Sequence, residues 1–264
     1  MQQGIHELTH QAAGTRLVLV HGFLDYAAAW QPLSAALAAA GYHCTAPDLA
    51  GAGTRQSEAG PYTLQRAVED VRTYVAALGT PVVMVGHSMG AQIAELAAAR
   101  LGDKVSALVL ITPTPLGGNV LPDEVRAMLR ESGADAAAQE GIRRAFSKNL
   151  SEKLLRDATA EHVMMGKEAV RGYYDAFAGG DAAGHAGTAC TAPVLILGAE
   201  DDPVIAPEMV RSIHAGRFPA AQLSFIADSG HWPQSEQPEA TAQAIARFLE
   251  TCAYQRTLET VPIS

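Results

Sequence analysis

A serine hydroxyl is a poor nucleophile near neutral pH unless a base stands within hydrogen-bond reach and a carboxylate orients that base. The chain carries these parts. Ser88 sits in Gly86-His87-Ser88-Met89-Gly90, His231 in Asp228-Ser229-Gly230-His231-Trp232-Pro233, and Asp201 and Asp202 fall between them along the chain. Such a set supports acyl transfer: His231 takes the proton of Ser88, the alkoxide attacks a carbonyl, and water later releases the acyl group. Along the chain the order is serine, aspartate, histidine, which requires a sharp turn, an elbow, that exposes the serine to two residues far from it in sequence.

The surrounding sequence supplies that turn. Val82-Val83-Met84-Val85 is an apolar run of the kind buried in a sheet, and Ala91 to Ala99 is helix-forming. Gly86 and Gly90 lack side chains, so strand and helix can approach each other and Ser88 is pushed to the apex. The amide of Met89, in the first turn of the helix, has no carbonyl of its own and points at whatever bonds to the serine oxygen. His87 adjoins the nucleophile, but on a tight turn its side chain cannot share the direction of Ser88, so it is assigned to packing or support.

The rest of the chain alternates strand and helix, as a parallel sheet covered on both faces requires. Strands are expected at residues 17–20, 42–46, 105–112, 194–197 and 222–226, and helices at 27–40, 64–78, 207–214 and 238–249. Thr63 and Gly79 mark the ends of the second helix. Short β-like material near 5–8 is a candidate antiparallel edge. Between 113 and 191 the alternation breaks, and helical stretches at 122–130, 134–146, 151–157 and 160–178 are separated by Gly and Pro. The apolar side chains of this insertion, among them Leu121, Leu129, Phe146, Tyr173 and Phe177, either pack its helices together or line an apolar pocket. The expected organisation is therefore a core over 1–112, a helical cap over 113–191, the rest of the core over 192–253, and a tail over 254–264 without periodicity.

Composition narrows the partners. The 264 residues hold 28 acidic against 19 basic side chains, a formal net charge of −9, with no Lys/Arg cluster, which argues against nucleic acid and anionic membranes. No apolar run approaches the ~18 residues of a membrane span. Cys44, Cys190 and Cys252 are odd in number, far apart and outside any C-x-x-C pattern, and the N-terminal stretch lacks the layout of a secretory signal, so a reducing cytoplasm is expected. The nine histidines form no metal-ligand spacing, and Gly51-Ala52-Gly53 lacks the strand-then-helix setting of a dinucleotide site. Neither metal nor cofactor is expected; a small molecule is.

Taken together, His21-Gly22-Phe23, Asp48-Leu49-Ala50-Gly51-Ala52-Gly53, the elbow, Asp202-Pro203-Val204-Ile205 and Gly230-His231-Trp232-Pro233 resemble the α/β-hydrolase superfamily over nearly the whole chain. The resemblance implies Ser88 as nucleophile, His231 as base and then acid, an aspartate orienting it, and an oxyanion hole from the amides of Phe23 and Met89. The helical insertion is similar to the family's cap. The family's acid usually stands three residues after a glycine, which would select Asp201 after Gly198. Counted from Pro193 and from the following Pro203-Val204-Ile205, however, Asp202 occupies the place of the acid, with Ala199 where the glycine usually stands. Asp202 is the assignment adopted and Asp201 its alternative.

Serine at the elbow sets the chain apart from members resembling haloalkane dehalogenases and epoxide hydrolases, which carry aspartate there. Carbon–carbon bond hydrolases commonly have asparagine before the serine where this chain has His87. The stretch 41–49 is similar to that of plant methylesterases and hydroxynitrile lyases, which favours hydrolysis of a small ester. Carbon–carbon bond hydrolysis, or a low-turnover receptor on the same fold, is the alternative.

Overall fold

The computed structural model describes the main chain over residues 5–7 and 14–260 and the side chains over 14–255. Within these, seven strands make one sheet. They are β1 (Ile5–Glu7), β2 (Arg16–Val20), β3 (His43–Pro47), β4 (Val82–His87), β5 (Val105–Ile111), β6 (Val194–Ala199) and β7 (Gln222–Ile226), in the spatial order β1-β3-β2-β4-β5-β6-β7. Every neighbouring pair is parallel except β1 with β3. The weak apolar signal near residue 5 is thus an antiparallel edge strand; Leu8 lies outside the described residues.

The central strands are buried on both faces, so their side chains divide by the two-residue period of a strand. Leu17, Leu19, Val83, Val85, Val109 and Leu195 form one core with α1 (Gln31–Ala39) and α10 (Pro238–Thr260). Val18, Val20, Met84, Leu108, Leu110 and Ile196 form the other with α2 (Leu64–Leu78), α3 (Met89–Leu101) and α8 (Pro207–Arg217). Each fully buried Val or Leu contributes about 1.5–3 kcal/mol relative to exposure, so this doubly covered sheet is the rigid part of the molecule. Thr63 caps α2 by accepting from the Arg66 N–H, and Gly79 closes it at φ 71°.

The helical insertion expected as a cap lies between β5 and β6 and contains α4 (Asp123–Arg130), α5 (Ala136–Phe146), α6 (Glu152–Ala158) and α7 (Lys167–Gly179). The helix expected over 160–178 begins only at Lys167. Residues 160–166 are instead a turn: the Ala160 carbonyl accepts from Val163 and Met164 within it, while Gln56 donates to Glu161 and Met164, and the Ala134 N–H and Gln139 donate to Met165. Those contacts from the core and from α5 replace a helical ladder that local propensity alone would have favoured. At the other end of the chain, α10 continues past the expected stop at Leu249 to Thr260; Cys252 extends the buried stripe of Ile245, Phe248 and Leu249 at helical spacing, and Ala253, Tyr254 and Gln255 beyond it are exposed. A short α9 (Pro233–Glu236) precedes it. Among the described residues no helix is long and apolar enough to cross a membrane.

Candidate active site

β4 runs into α3 with only Ser88 between them. Ser88 has φ 53° and ψ −120°, a conformation that L-residues adopt only when their surroundings dictate it. The flanking glycines explain how. A Cβ at Gly86 would stand 2.3 Å from the Gly90 carbonyl oxygen, and one at Gly90 would stand 2.2 Å from the carbonyl oxygen of Val20, so neither position admits a side chain. The Ser88 N–H donates to Ile111 on the neighbouring strand and its carbonyl accepts from Ala91, which fixes the apex from both sides.

At this apex, Ser88 Oγ lies 3.0 Å from His231 Nε2, and His231 Nδ1 lies 2.7 Å from Asp202 Oδ2. All three side chains are buried. Asp202 Oδ1 accepts from the Val204 and Ile205 amides at 2.8 and 3.0 Å. Burial pushes this carboxyl up, but the neighbouring His231 and these hydrogen bonds outweigh burial and leave it below the usual carboxylate range. An ionised Asp202 holds the proton of His231 on Nδ1 and leaves Nε2 free to accept from Ser88. Asp201, the alternative, turns outward and pairs with Lys148 at 2.9 Å.

The loop bearing His231 is held from several directions. Its N–H donates to the Phe146 carbonyl at the end of α5 at 2.8 Å. Its own carbonyl accepts from His87 Nε2 at 2.7 Å and from Thr112 Oγ1 at 3.2 Å. Burial, with His231 close by, drives His87 well below the ordinary histidine range, so it stays neutral and serves as a fixed donor. Thr112, buried at φ 38°, is a β-branched residue in a region such residues avoid, and it turns the chain beyond β5. Glu236, buried on α9, accepts from the amides of Gly230 and Trp232 on either side of His231 and from those of Lys148 and Asn149 in the cap.

Phe23 and Met89, named for the oxyanion hole, flank the serine from two segments. Met89 opens α3 directly after Ser88. Phe23 lies on the loop after β2, where a Cβ at Gly22 would stand 3.2 Å from Ser88 Cβ, so this loop rests on the elbow itself. His21 braces it: its Nε2 accepts from the Leu49 N–H at 3.0 Å while Nδ1 donates to the Gly22 carbonyl. Phe23 and Leu24, with Ser88 and His231, line a cavity of ≈ 40 Å³ completed by cap residues Leu121, Leu129, Ile142, Phe146 and Phe177.

Some of these residues are invisible to motif reading. Thr114 Oγ1 lies 3.4 Å from Ser88 Oγ, and its only sequence signal is a hydroxyl just past the carboxyl edge of β5. Glu236 announces itself only as an acid one turn after His231. Of the insertion's apolar residues, Leu121, Leu129, Phe146 and Phe177 reach the cavity, Tyr173 is buried against the core with its hydroxyl donating to Ala50, and Met128 is exposed. Among the described residues no three metal-ligating side chains gather.

Comparison with known proteins agrees with this architecture. The chain is 40% identical to Esterase PIR7B of Oryza sativa subsp. japonica over 98 residues, which are 36% of this chain and only 37% of that protein. A thermophilic esterase from Thermogutta terrifontis superposes with a TM-score of 0.71 at 25% identity, covering 94% of this chain and 93% of its own. A bromoperoxidase from Bacillus anthracis superposes with a TM-score of 0.82, covering 94% of this chain and 100% of its own, at 16% identity, a likeness of fold alone. The profile of the alpha/beta hydrolase family matches residues 17–244. With a sheet, an elbow and a helical insertion of this form, and esterases among its relatives, this chain belongs to the alpha/beta hydrolase family and is a hydrolase.

Proposed function

We propose that the protein is a serine carboxylesterase acting on small, largely apolar esters through an acyl-enzyme. The observation that carries this reading is the unbroken hydrogen-bonded chain from Ser88 through His231 to Asp202, with the serine at the wall of an apolar cavity. In this scheme His231 Nε2 takes the Ser88 proton as the oxygen attacks the ester carbonyl. The N–H groups of Phe23 and Met89 hold the developing oxyanion, a contribution on the order of a hundredfold or more in turnover for each donor. The tetrahedral intermediate collapses as the imidazolium returns the proton to the departing alcohol. Water, deprotonated by the same histidine, then releases the acid and restores Ser88.

The cavity at Ser88 is walled by the bulky apolar side chains of Leu121, Leu129, Phe146 and Phe177. In the same proposal the acyl group is short, acetyl or propionyl rather than a fatty chain, with these side chains against its methyl end. A cytoplasmic setting, the one that fits the cysteine pattern, belongs to the same proposal.

The test is steady-state hydrolysis of p-nitrophenyl acetate, butyrate, hexanoate and decanoate, with Ser88→Ala as control. Serine-dependent turnover that declines beyond butyrate is the expected result. Preference for decanoate would overturn the short-acyl reading, and turnover unaffected by Ser88→Ala would overturn the esterase.

A further inference from the structure

One cap helix touches both halves of the proposed catalytic apparatus. Arg143 and Phe146 are three residues apart on α5 and so share a face of it. The Phe146 carbonyl receives the main-chain N–H of His231. The Arg143 guanidinium donates through Nη2 to the carbonyl of Leu24, the residue after Phe23, and lies 5.4 Å over the ring of Trp232, the residue after His231.

We propose that Arg143 is a positioning residue for the oxyanion loop: by gripping the Leu24 carbonyl it keeps the Phe23 N–H aimed at the reacting centre. The inference rests on the esterase reading and on Phe23 as an oxyanion donor. Two observations favour it over a plain structural ion pair. First, Leu24 has φ 59°, a left-handed conformation that a leucine leaves unless something outside the loop fixes it. The Leu24 carbonyl lies two peptide planes beyond the Phe23 N–H, so Arg143 holds the far side of the turn that carries this amide, and the left-handed Leu24 links the two.

Second, the pairing of Arg143 with Asp25 is poor, although both are almost wholly buried. Their closest approach is 3.5 Å, and among the described residues neither Asp25 Oδ1 nor Arg143 Nε makes a hydrogen bond. A guanidinium built to neutralise a buried carboxylate would meet it in a two-point fork at about 2.7–2.9 Å. Here the hydrogen bond of the guanidinium goes to the Leu24 carbonyl, and the carboxylate serves as its counter-charge at longer range.

The geometry also supplies the experiment. Behind the loop, a cavity of ≈ 210 Å³ is lined by Asp25, Arg143 and Trp232, so the space emptied by Arg143→Ala is open to a small cation. Wild type, Arg143→Ala, Arg143→Lys and Asp25→Asn are compared for kcat and KM with p-nitrophenyl acetate. A trifluoromethyl ketone, which forms the tetrahedral adduct, is titrated against each, and Arg143→Ala is assayed with millimolar guanidinium or urea.

The expected result for Arg143→Ala is a kcat lowered about a hundredfold, as for loss of an oxyanion donor, with KM within about threefold. Affinity for the ketone falls in parallel, and guanidinium but not urea restores at least about tenfold. Arg143→Lys, which keeps a donor for the carbonyl, loses about tenfold, so the comparison holds even where Arg143→Ala does not fold. Asp25→Asn stays within a few fold of wild type. Equal losses for Asp25→Asn and Arg143→Lys would overturn the proposal in favour of an ion pair. So would Arg143 variants with wild-type kcat, or with ketone affinity unchanged. Wild type without Ser88-dependent turnover would overturn the esterase reading and the proposal with it, whereas an active wild type matched by its Arg143 variants overturns the proposal alone.

Discussion

Ser88 and His231 meet at 3.0 Å but are put there in different ways. The serine is positioned chiefly by its own neighbours in sequence, a buried strand, two glycines that admit no Cβ and the helix that follows, with Val20 and Ile111 of the flanking strands against the turn. The histidine sits on a loop whose place is set mainly by groups from elsewhere in the chain, namely His87 and Thr112 at the ends of two strands and Phe146 in the helical insertion, together with the nearby Glu236 carboxylate. The place of Ser88 is thus written largely in a short segment, whereas that of His231 depends on the assembled molecule.

Breaking the serine side gives the largest effect. Ser88→Ala is expected to lower kcat by about a millionfold while far-UV circular dichroism stays unchanged, because the elbow needs the glycines rather than the hydroxyl. Next comes the carboxylate behind the histidine. Asp202→Asn is expected to cost about ten-thousandfold in kcat, by releasing His231 to the wrong tautomer, while Asp201→Asn, which loses only an exposed ion pair with Lys148, stays within about twofold. A reversed pattern would return the role to Asp201.

Main-chain support of the histidine comes third. His87→Phe removes a donor from the His231 carbonyl and is expected to lower kcat on the order of tenfold, whereas His87→Gln, whose amide can donate in its place, recovers most of it. Equal losses in the two variants would show that ring packing against His231 and Trp232, and not the hydrogen bond, is what His87 provides.

The smallest effect is on stability. Asp202 has a lower pKa in the folded chain than in the unfolded one, where a carboxyl of this type titrates near about 3.9. Its contribution is therefore complete above that pH and is lost as pH falls through the folded value. Urea midpoints of wild type and Asp202→Asn should differ more at pH 7 than at pH 3; a constant difference would mean that the carboxylate is not held ionised by its partners.

How much of this was legible in the sequence follows the same division. The alternation of apolar runs and amphipathic stretches predicted the sheet, because burial on two faces of a strand and on one stripe of a helix are local patterns. Gly-x-Ser-x-Gly between strand and helix located Ser88 for the same reason. The turn at 160–166 was not legible, since some of its carbonyls are taken by Gln56, Ala134 and Gln139, residues distant in sequence. The continuation of α10 as far as Cys252 was not legible because the burial of that residue depends on the core beneath it.

By itself, then, the sequence determined an α/β-hydrolase fold, the apex position of Ser88 and a short list of partners that included His231 and two adjacent aspartates. Tertiary structure decided which aspartate faces the histidine, that Thr114, Glu236 and Arg143 gather around the site, and which apolar side chains of the insertion wall the cavity beside the serine. The physical reason is range. Periodicity, turn chemistry and excluded volume act between residues a few positions apart and are written in order along the chain. The direction of the Asp202 carboxylate depends on a histidine 29 residues on, and the carbonyl that the buried Arg143 grips lies 119 residues away; these groups meet only after the chain has packed.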